Sequence, residues 1–247
     1  MRVILPGNSK WQENPSLLNV LGLDGMKPPV VSVVGAGGKT STIEYLAEEY
    51  RILNRKAIVT TTTHMYRPSG WNWCREDSIR AVEDALKTGS VLWIGLPFGE
   101  DKISSPALPL LNYLREKGIP LLVEADGARR LPFKVPGEKE PVVLPYSNMV
   151  IGILGMDALG RPIREVSFRP SLTAEYLKKP EDALITEEDY VKVITGRHGL
   201  RKNVAGDMEY AVILNKTDDD QRQKGAAAIR SMLKEQGIQK VYLTSHI

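Results

Sequence analysis

The sequence predicts an α/β fold, a mostly parallel sheet covered by helices on both faces. Three observations carry that prediction. Short apolar runs of strand length alternate with longer amphipathic segments along the chain. The runs are apolar without in–out alternation, as strands buried between two helix layers are. Glycines stand where the helical segments stop, at Gly89, Gly118, Gly196 and Gly237.

The elements follow in order. Residues 30–34 read as a buried strand. Residues 40–53 form a helix with Ile43, Leu46, Ala47 and Tyr50 on one face. Residues 56–62, rich in Val, Ile and Thr, are a second strand. A helix over 78–87 leads to a strand over 91–94, and a helix over 106–117 to a strand over 119–123. A strand over 150–154 follows. The helix over 186–195 opens on a Thr186–Asp189 capping box. A strand over 211–214, a helix over 219–236 and a strand over 241–243 complete the series. A single domain over 1–247 is expected, with a helical extension over about 1–28 and an inserted loop and helical region over about 131–205. Residues 131–145 carry four prolines and read as a long loop.

Bulk properties narrow the function classes. The 247 residues are 42% hydrophobic and 26% charged, with a net charge of +3 and a pI near 8.8. That charge is too mild for a nucleic-acid partner. Cys74 is the only cysteine, so no internal disulfide forms, which fits a reducing cytoplasm. No apolar run approaches a membrane span and the N-terminal segment turns polar after five residues. No membrane partner is expected.

The first motif is Gly35-Ala36-Gly37-Gly38-Lys39-Thr40-Ser41, placed between a strand and a helix. Glycines there let main-chain amides point at phosphate oxygens, and the helix adds its positive end. Lys39 would reach the outer phosphates and the Thr40 hydroxyl would ligate Mg²⁺. The longer phosphate-loop pattern has glycine where this chain has Val33; the shorter G-x-x-G-K-[ST] form, as in Mur ligases, matches residues 35–40. The predicted fold is accordingly P-loop NTPase-like with three layers.

The second is Glu124-Ala125-Asp126-Gly127, at the carboxyl end of an apolar strand, the edge where parallel sheets build ligand sites. Glu124 and Asp126 share one strand face. Either would hold Mg²⁺ or orient an attacking water. The Glu-x-x-Gly spacing resembles the acidic switch of SIMIBI-class nucleotide-binding proteins. The third is Asn215-Lys216-Thr217-Asp218 after a strand, with Ser245 at the end of the next strand. Such an aspartate accepts hydrogen bonds from guanine N1–H and its amine, which adenine does not offer. The alternative is that Asp218 merely caps the following helix.

Lesser candidates for switch or substrate contacts are Thr62, Thr63, His64, Arg129 and Lys134. Arg129 and Arg130 are either a swing-in arginine pair or a solvated loop. His198 and His246 show no metal-ligand spacing with each other or with Cys74.

Together these stretches resemble the YqeC family: GAGGKTS at 35–41, VTTTTHMY at 59–66, VEADGARRLPFKVPGEKEPVV at 123–143, GMDALG at 155–160, GLRKNV at 199–204 and LNKTDD at 214–219. The family pattern has His-Arg-Pro-Glu where this chain has Phe168-Arg169-Pro170-Ser171. The resemblance implies an accessory protein of a selenium-dependent molybdenum hydroxylase, with that enzyme or its cofactor-maturation proteins as partner. The expected function is Mg²⁺-dependent binding of GTP, or of ATP, with slow hydrolysis. Two other classes stay open: an ATP-dependent small-molecule ligase or kinase with a Mur-type loop, and a nucleotide-binding scaffold without turnover.

Overall fold

A computed structural model describes residues 1–26 and 28–245; His246 lies outside the described residues. In chain order the strands and helices are β1 (Arg2–Ile4), β2 (Gln12–Glu13), α1 (Leu17–Val20), β3 (Val30–Gly35), α2 (Lys39–Ile52), β4 (Ala57–Thr61), β5 (His64–Tyr66), β6 (Trp73–Cys74), α3 (Ile79–Ala85), β7 (Val91–Ile94), β8 (Leu96–Phe98), β9 (Lys102–Ser104), α4 (Leu108–Glu116), β10 (Leu121–Glu124), β11 (Phe133–Lys134), β12 (Met149–Gly155), α5 (Ile163–Val166), β13 (Ser167–Phe168), α6 (Pro170–Leu177), α7 (Glu187–Thr195), β14 (Glu209–Asn215), α8 (Asp220–Glu235) and β15 (Val241–Ser245). The main sheet is ten-stranded, in the order β2-β1-β15-β14-β12-β3-β10-β4-β7-β6. Every neighbouring pair from β15 to β6 is parallel.

Side chains alternate across the sheet plane, so each strand feeds two cores. On one face Val31 and Val33 of β3 meet Ile43, Leu46, Ala47 and Tyr50 of α2. These are the four positions the helical spacing marks. On the other, Val150 and Leu154 of β12 pack with Tyr190 and Ile194 of α7 and Ile229 and Leu233 of α8. Val123 of β10 packs there with Leu110 and Leu114 of α4. Helices therefore cover both faces.

Two expectations need correction, and one feature was not expected. The segment over 1–28 is not simply helical. β1 adds antiparallel to β15 and β2 to β1, because Val3 and Ile4 gain burial at the sheet edge. Nor is the region over 131–205 one insertion, since its seven-residue apolar β12 is a central strand between β3 and β14. A second, three-stranded sheet, β5-β9-β8, has no expected counterpart. Its strands are three residues each, too short for alternation to register, and Pro97 interrupts one of them.

β3 is the point of departure. The chain leaves it toward β4 on one side, and β12 lies against its other edge. A crevice opens outside the carboxyl ends of the strands at such a place.

Candidate functional site

The 35–40 bend sits on that crevice. Val33 is fully buried within β3, paired with Glu124 and Ile151. The position where the longer motif would need a loop glycine is thus ordinary strand. All three glycines of the bend are dictated by space, Gly37 and Gly38 at the cleft among them. A Cβ on Gly37, at φ +79°, would lie 2.4 Å from the Gly155 nitrogen; one on Gly38, at φ +146°, would lie 2.1 Å from Asn215 Nδ2. Asn215 Nδ2 donates to the Gly37 carbonyl at 2.8 Å, and its Oδ1 accepts from Thr244 Oγ1 at 2.7 Å. The third motif thereby fastens the first.

Two amides expected in the cradle have other partners. Gly35 N–H donates to both Asp126 oxygens at 3.1 Å, and Ala36 N–H to the Ile153 carbonyl at 2.8 Å. The ligand-facing part of the bend narrows to Gly37, Gly38 and the start of α2, where Lys39, Thr40 and Ser41 line the cleft. The first amides of a helix have no partner within it.

Lys39 is 5% exposed. Its Nζ donates to the Gly35 carbonyl at 2.7 Å and lies 3.3 Å from Asp126 Oδ1. An ammonium has three hydrogens, so one remains for a ligand oxygen. Asp126 is fully buried and also pairs with Lys134 Nζ at 3.0 Å. Lys134 in turn donates to the Gly127 carbonyl at 2.7 Å and to Glu140 Oε2 at 2.9 Å. With its three hydrogens spent, this fully buried lysine is a structural ion, not the switch or substrate contact expected of it. Asp126 likewise has both oxygens engaged, which opposes its expected role as a metal ligand.

The chain of ions ends outward at Arg169, 2.6 Å from Glu140 Oε2. Burial alone would raise the Glu140 carboxyl. The hydrogen bond from Arg169 and the charge of Lys134 outweigh it and hold the group at about 2, below its ordinary 4.5. Because its folded value is depressed, its contribution to stability is present above about pH 4.5 and is lost as pH falls toward 2. Glu140→Gln is therefore expected to flatten the acid limb of the stability curve over that window. Urea midpoints measured against pH check this, and an unaltered acid limb contradicts it.

Glu124 behaves oppositely. Its Oε2 accepts from Thr40 Oγ1 at 2.7 Å. Burial raises its carboxyl, the Lys39 charge and the Thr40 hydrogen bond pull it back, and nearby Asp126 raises it further. A desolvated carboxylate beside a hydroxyl is short of positive charge.

The threonine run divides. Thr62 Oγ1 donates to the Val142 carbonyl at 2.6 Å, and Thr62 does not line the cleft. Thr63 and His64 do line the cleft, and His64 lies against Phe98 with centroids 4.0 Å apart. Arg129 lines it too, as does Lys216. Lys216 Nζ pairs with Asp157 Oδ2 at 2.7 Å. Asp218 Oδ1 accepts from Ser245 Oγ at 2.8 Å. The cap of α8 is Asp219, whose side chain accepts from Arg222 N; Asp218 is not the helix cap.

The cleft measures about 590 Å³; Lys216 lines it, whereas Asn215, Asp218 and Ser245 do not. Sequence reading missed several of its walls: Glu44, Tyr66, Arg67, Lys102, Glu140 and Phe168. Tyr66 and Lys102 belong to the small sheet, which had no readable signal. Glu140 lies within the proline-rich run over 131–145, whose unusual composition was the one available hint, and Phe168 lies on the two-residue β13.

The family model described as YqeC protein matches residues 31–171. A protein of Escherichia coli (strain K12) described as "Uncharacterized protein YqeC" is 30% identical over 237 residues, covering 93% of this chain and 92% of its own length. The chain belongs to the YqeC family. The match to the YqeC model takes in the glycine bend, Thr62 to His64, Glu124, Asp126, Arg129 and Lys134, whereas Asn215, Lys216, Asp218 and Ser245 lie beyond it. Among solved structures, a chain from work on a carbohydrate esterase active site is 13% identical, with a TM-score of 0.29 over 78% of this chain and 60% of that one. At that level the likeness carries no argument.

Proposed function

We propose that this YqeC-family chain is a Mg²⁺-dependent nucleoside-triphosphate-binding protein of P-loop NTPase-like fold. GTP is its preferred nucleotide, hydrolysed slowly, and its role is that of an accessory factor in maturing a selenium-dependent molybdenum hydroxylase. The observation that carries the nucleotide reading is the Thr40–Glu124 hydrogen bond at the mouth of the glycine bend. A hydroxyl and a desolvated carboxylate meet there, beside the open amide end of α2 and the Lys39 ammonium.

That pair fits Mg²⁺. Both groups are hard oxygen donors, and a divalent cation relieves the desolvation that pushes Glu124 toward its neutral form. No group of three or more His, Cys, Asp or Glu able to hold a metal occurs among the described residues. Phosphate oxygens and waters would complete the shell, as is usual for this ion. Bound there, the metal would neutralise charge on the phosphates. Thr40 and Glu124 would hold it, and Asp126 would position Lys39.

Guanine is favoured by the state of Asp218. Its Oδ1 accepts from Ser245, its Oδ2 lies 3.7 Å from Arg222 of α8, and it does not cap that helix. Asn215 ties that turn to the bend that would carry the phosphates, so base and phosphate sites have a fixed separation. The client enzyme and a cytoplasmic setting rest on the family resemblance and on composition. No helix among the described residues is long and apolar enough to cross a membrane.

Asp218→Asn tests the base assignment. An Asn amide keeps an acceptor for N1–H but turns a donor toward the guanine 2-amine, and xanthine has a carbonyl acceptor at that position. GTP affinity is expected to fall by roughly tenfold or more while xanthosine triphosphate gains. Isothermal titration reads both. Equal nucleotide preference in the variant and the parent chain sinks the guanine assignment and leaves the phosphate site standing.

A further inference from the structure

The cleft holds two populations of cations. At the bend, Lys39 and Lys216 each have an acidic partner, Asp126 and Asp157. At the other end Arg67, Lys102, Arg129 and Arg130 also line the cleft. None of those four forms an ion pair with an acid among the described residues. Their side chains lie over ring faces: Arg130 over Tyr66 at 4.1 Å, Lys102 over the same ring at 5.6 Å, Arg129 over Phe168 at 5.7 Å and Arg67 over Trp73 at 5.3 Å. Arg129 and Arg130 are consecutive and both left-handed, at φ +47° and +63°.

Each feature has a cost. Like charges gathered without ion-pair partners repel one another. Left-handed backbone at a residue with a side chain is strained by about 1–3 kcal/mol. Ring faces attract the cations without taking up the hydrogen-bonding capacity that an acid would. The planar guanidinium fork matches carboxylate and phosphate oxygens.

We propose that this end of the cleft is a second binding site, for a small anionic molecule carrying a phosphate or carboxylate group, held by Arg67, Lys102, Arg129 and Arg130 alongside the nucleotide. The inference rests on the nucleotide reading only for the word alongside; the cation cluster stands without it. A site for two small molecules fits a protein that works on an acceptor better than one that only switches a partner.

The test uses the full-length chain and the double variant Arg67→Gln/Arg130→Gln. Among the described residues these two side chains form no ion pair and lie over ring faces, so folding is expected to survive, and thermal unfolding verifies it. Inorganic phosphate and succinate are each titrated calorimetrically at low salt, with the bend first saturated by a non-hydrolysable GTP analogue and Mg²⁺. One of the two is expected to bind the parent chain one to one. The double variant is expected to bind it roughly tenfold more weakly or less, with its affinity for the analogue unchanged. The two probes distinguish a phosphate from a carboxylate ligand. Absence of saturable probe binding in the parent chain overturns the proposal. So does equal probe affinity in both proteins, or an analogue affinity that falls with the arginines, which would assign them to the nucleotide. If the analogue fails to bind but the probe binds only the parent chain, the nucleotide reading fails and this one holds.

Discussion

Asp126→Ala is expected to lower stability by about 3–5 kcal/mol, the range for removing one member of a buried ion cluster. The carboxylate is fully buried between two lysines, 3.3 Å from Lys39 and 3.0 Å from Lys134. It also accepts the Gly35 amide. Its loss leaves that amide without an acceptor and Lys39 without its paired acid. Lys134 keeps Glu140 and the Gly127 carbonyl, which sets the loss toward the lower part of the range. Urea unfolding at constant m-value measures it. A loss below about 1 kcal/mol would mean the cluster is not what holds the bend to β10.

Lys39→Ala should separate from that variant in kind. Asp126 would still have Lys134 and the Gly35 amide, so the stability loss is expected to be the smaller of the two. The ligand loss is expected to be the larger. Truncating one partner of a desolvated charge-assisted hydrogen bond costs about 2–5 kcal/mol. At 1.4 kcal/mol per tenfold, that is a fall in nucleoside-triphosphate affinity of roughly 30-fold or more. Fluorescence titration with a labelled GTP analogue checks it in both variants. Equal affinity in Lys39→Ala and the parent chain would remove the lysine from the phosphate site.

How much of this was legible in the sequence depends on range. The β3–bend–α2 unit is local. Its strand, glycines and helical face are contiguous, and the structure departs from the expected bounds by one residue or so. Asn215 and Ser245 were singled out by motif and chain order, and they meet the bend and Asp218 because parallel strands bring their carboxyl ends to one edge. What was not legible is pairing at a distance. Lysine is rarely buried, so nothing in Phe133-Lys134-Val135 announces a fully buried Lys134 between Asp126 and Glu140. The same holds for Asp157 beside Lys216. The inward turns of the Gly35 and Ala36 amides also depend on tertiary partners, Asp126 and Ile153. Motif reading assigns such amides to a ligand without seeing what already competes for them. The Tyr66 and Phe168 faces that carry the far cations sit on two- and three-residue strands, below the length at which periodicity speaks.

The central claim is that the 37–41 end of the bend, with Lys39, grips a triphosphate. Thermal unfolding of the parent chain with Mg²⁺ and rising GTP or ATP tests it most directly. Ligand at about 100 times its dissociation constant adds about 2.7 kcal/mol, a rise in Tm of roughly 5–10 °C for a chain of this size. The account predicts such a rise, dependent on Mg²⁺ and reached at lower concentration with GTP than with ATP. A Tm that neither nucleotide moves at millimolar concentration would contradict it.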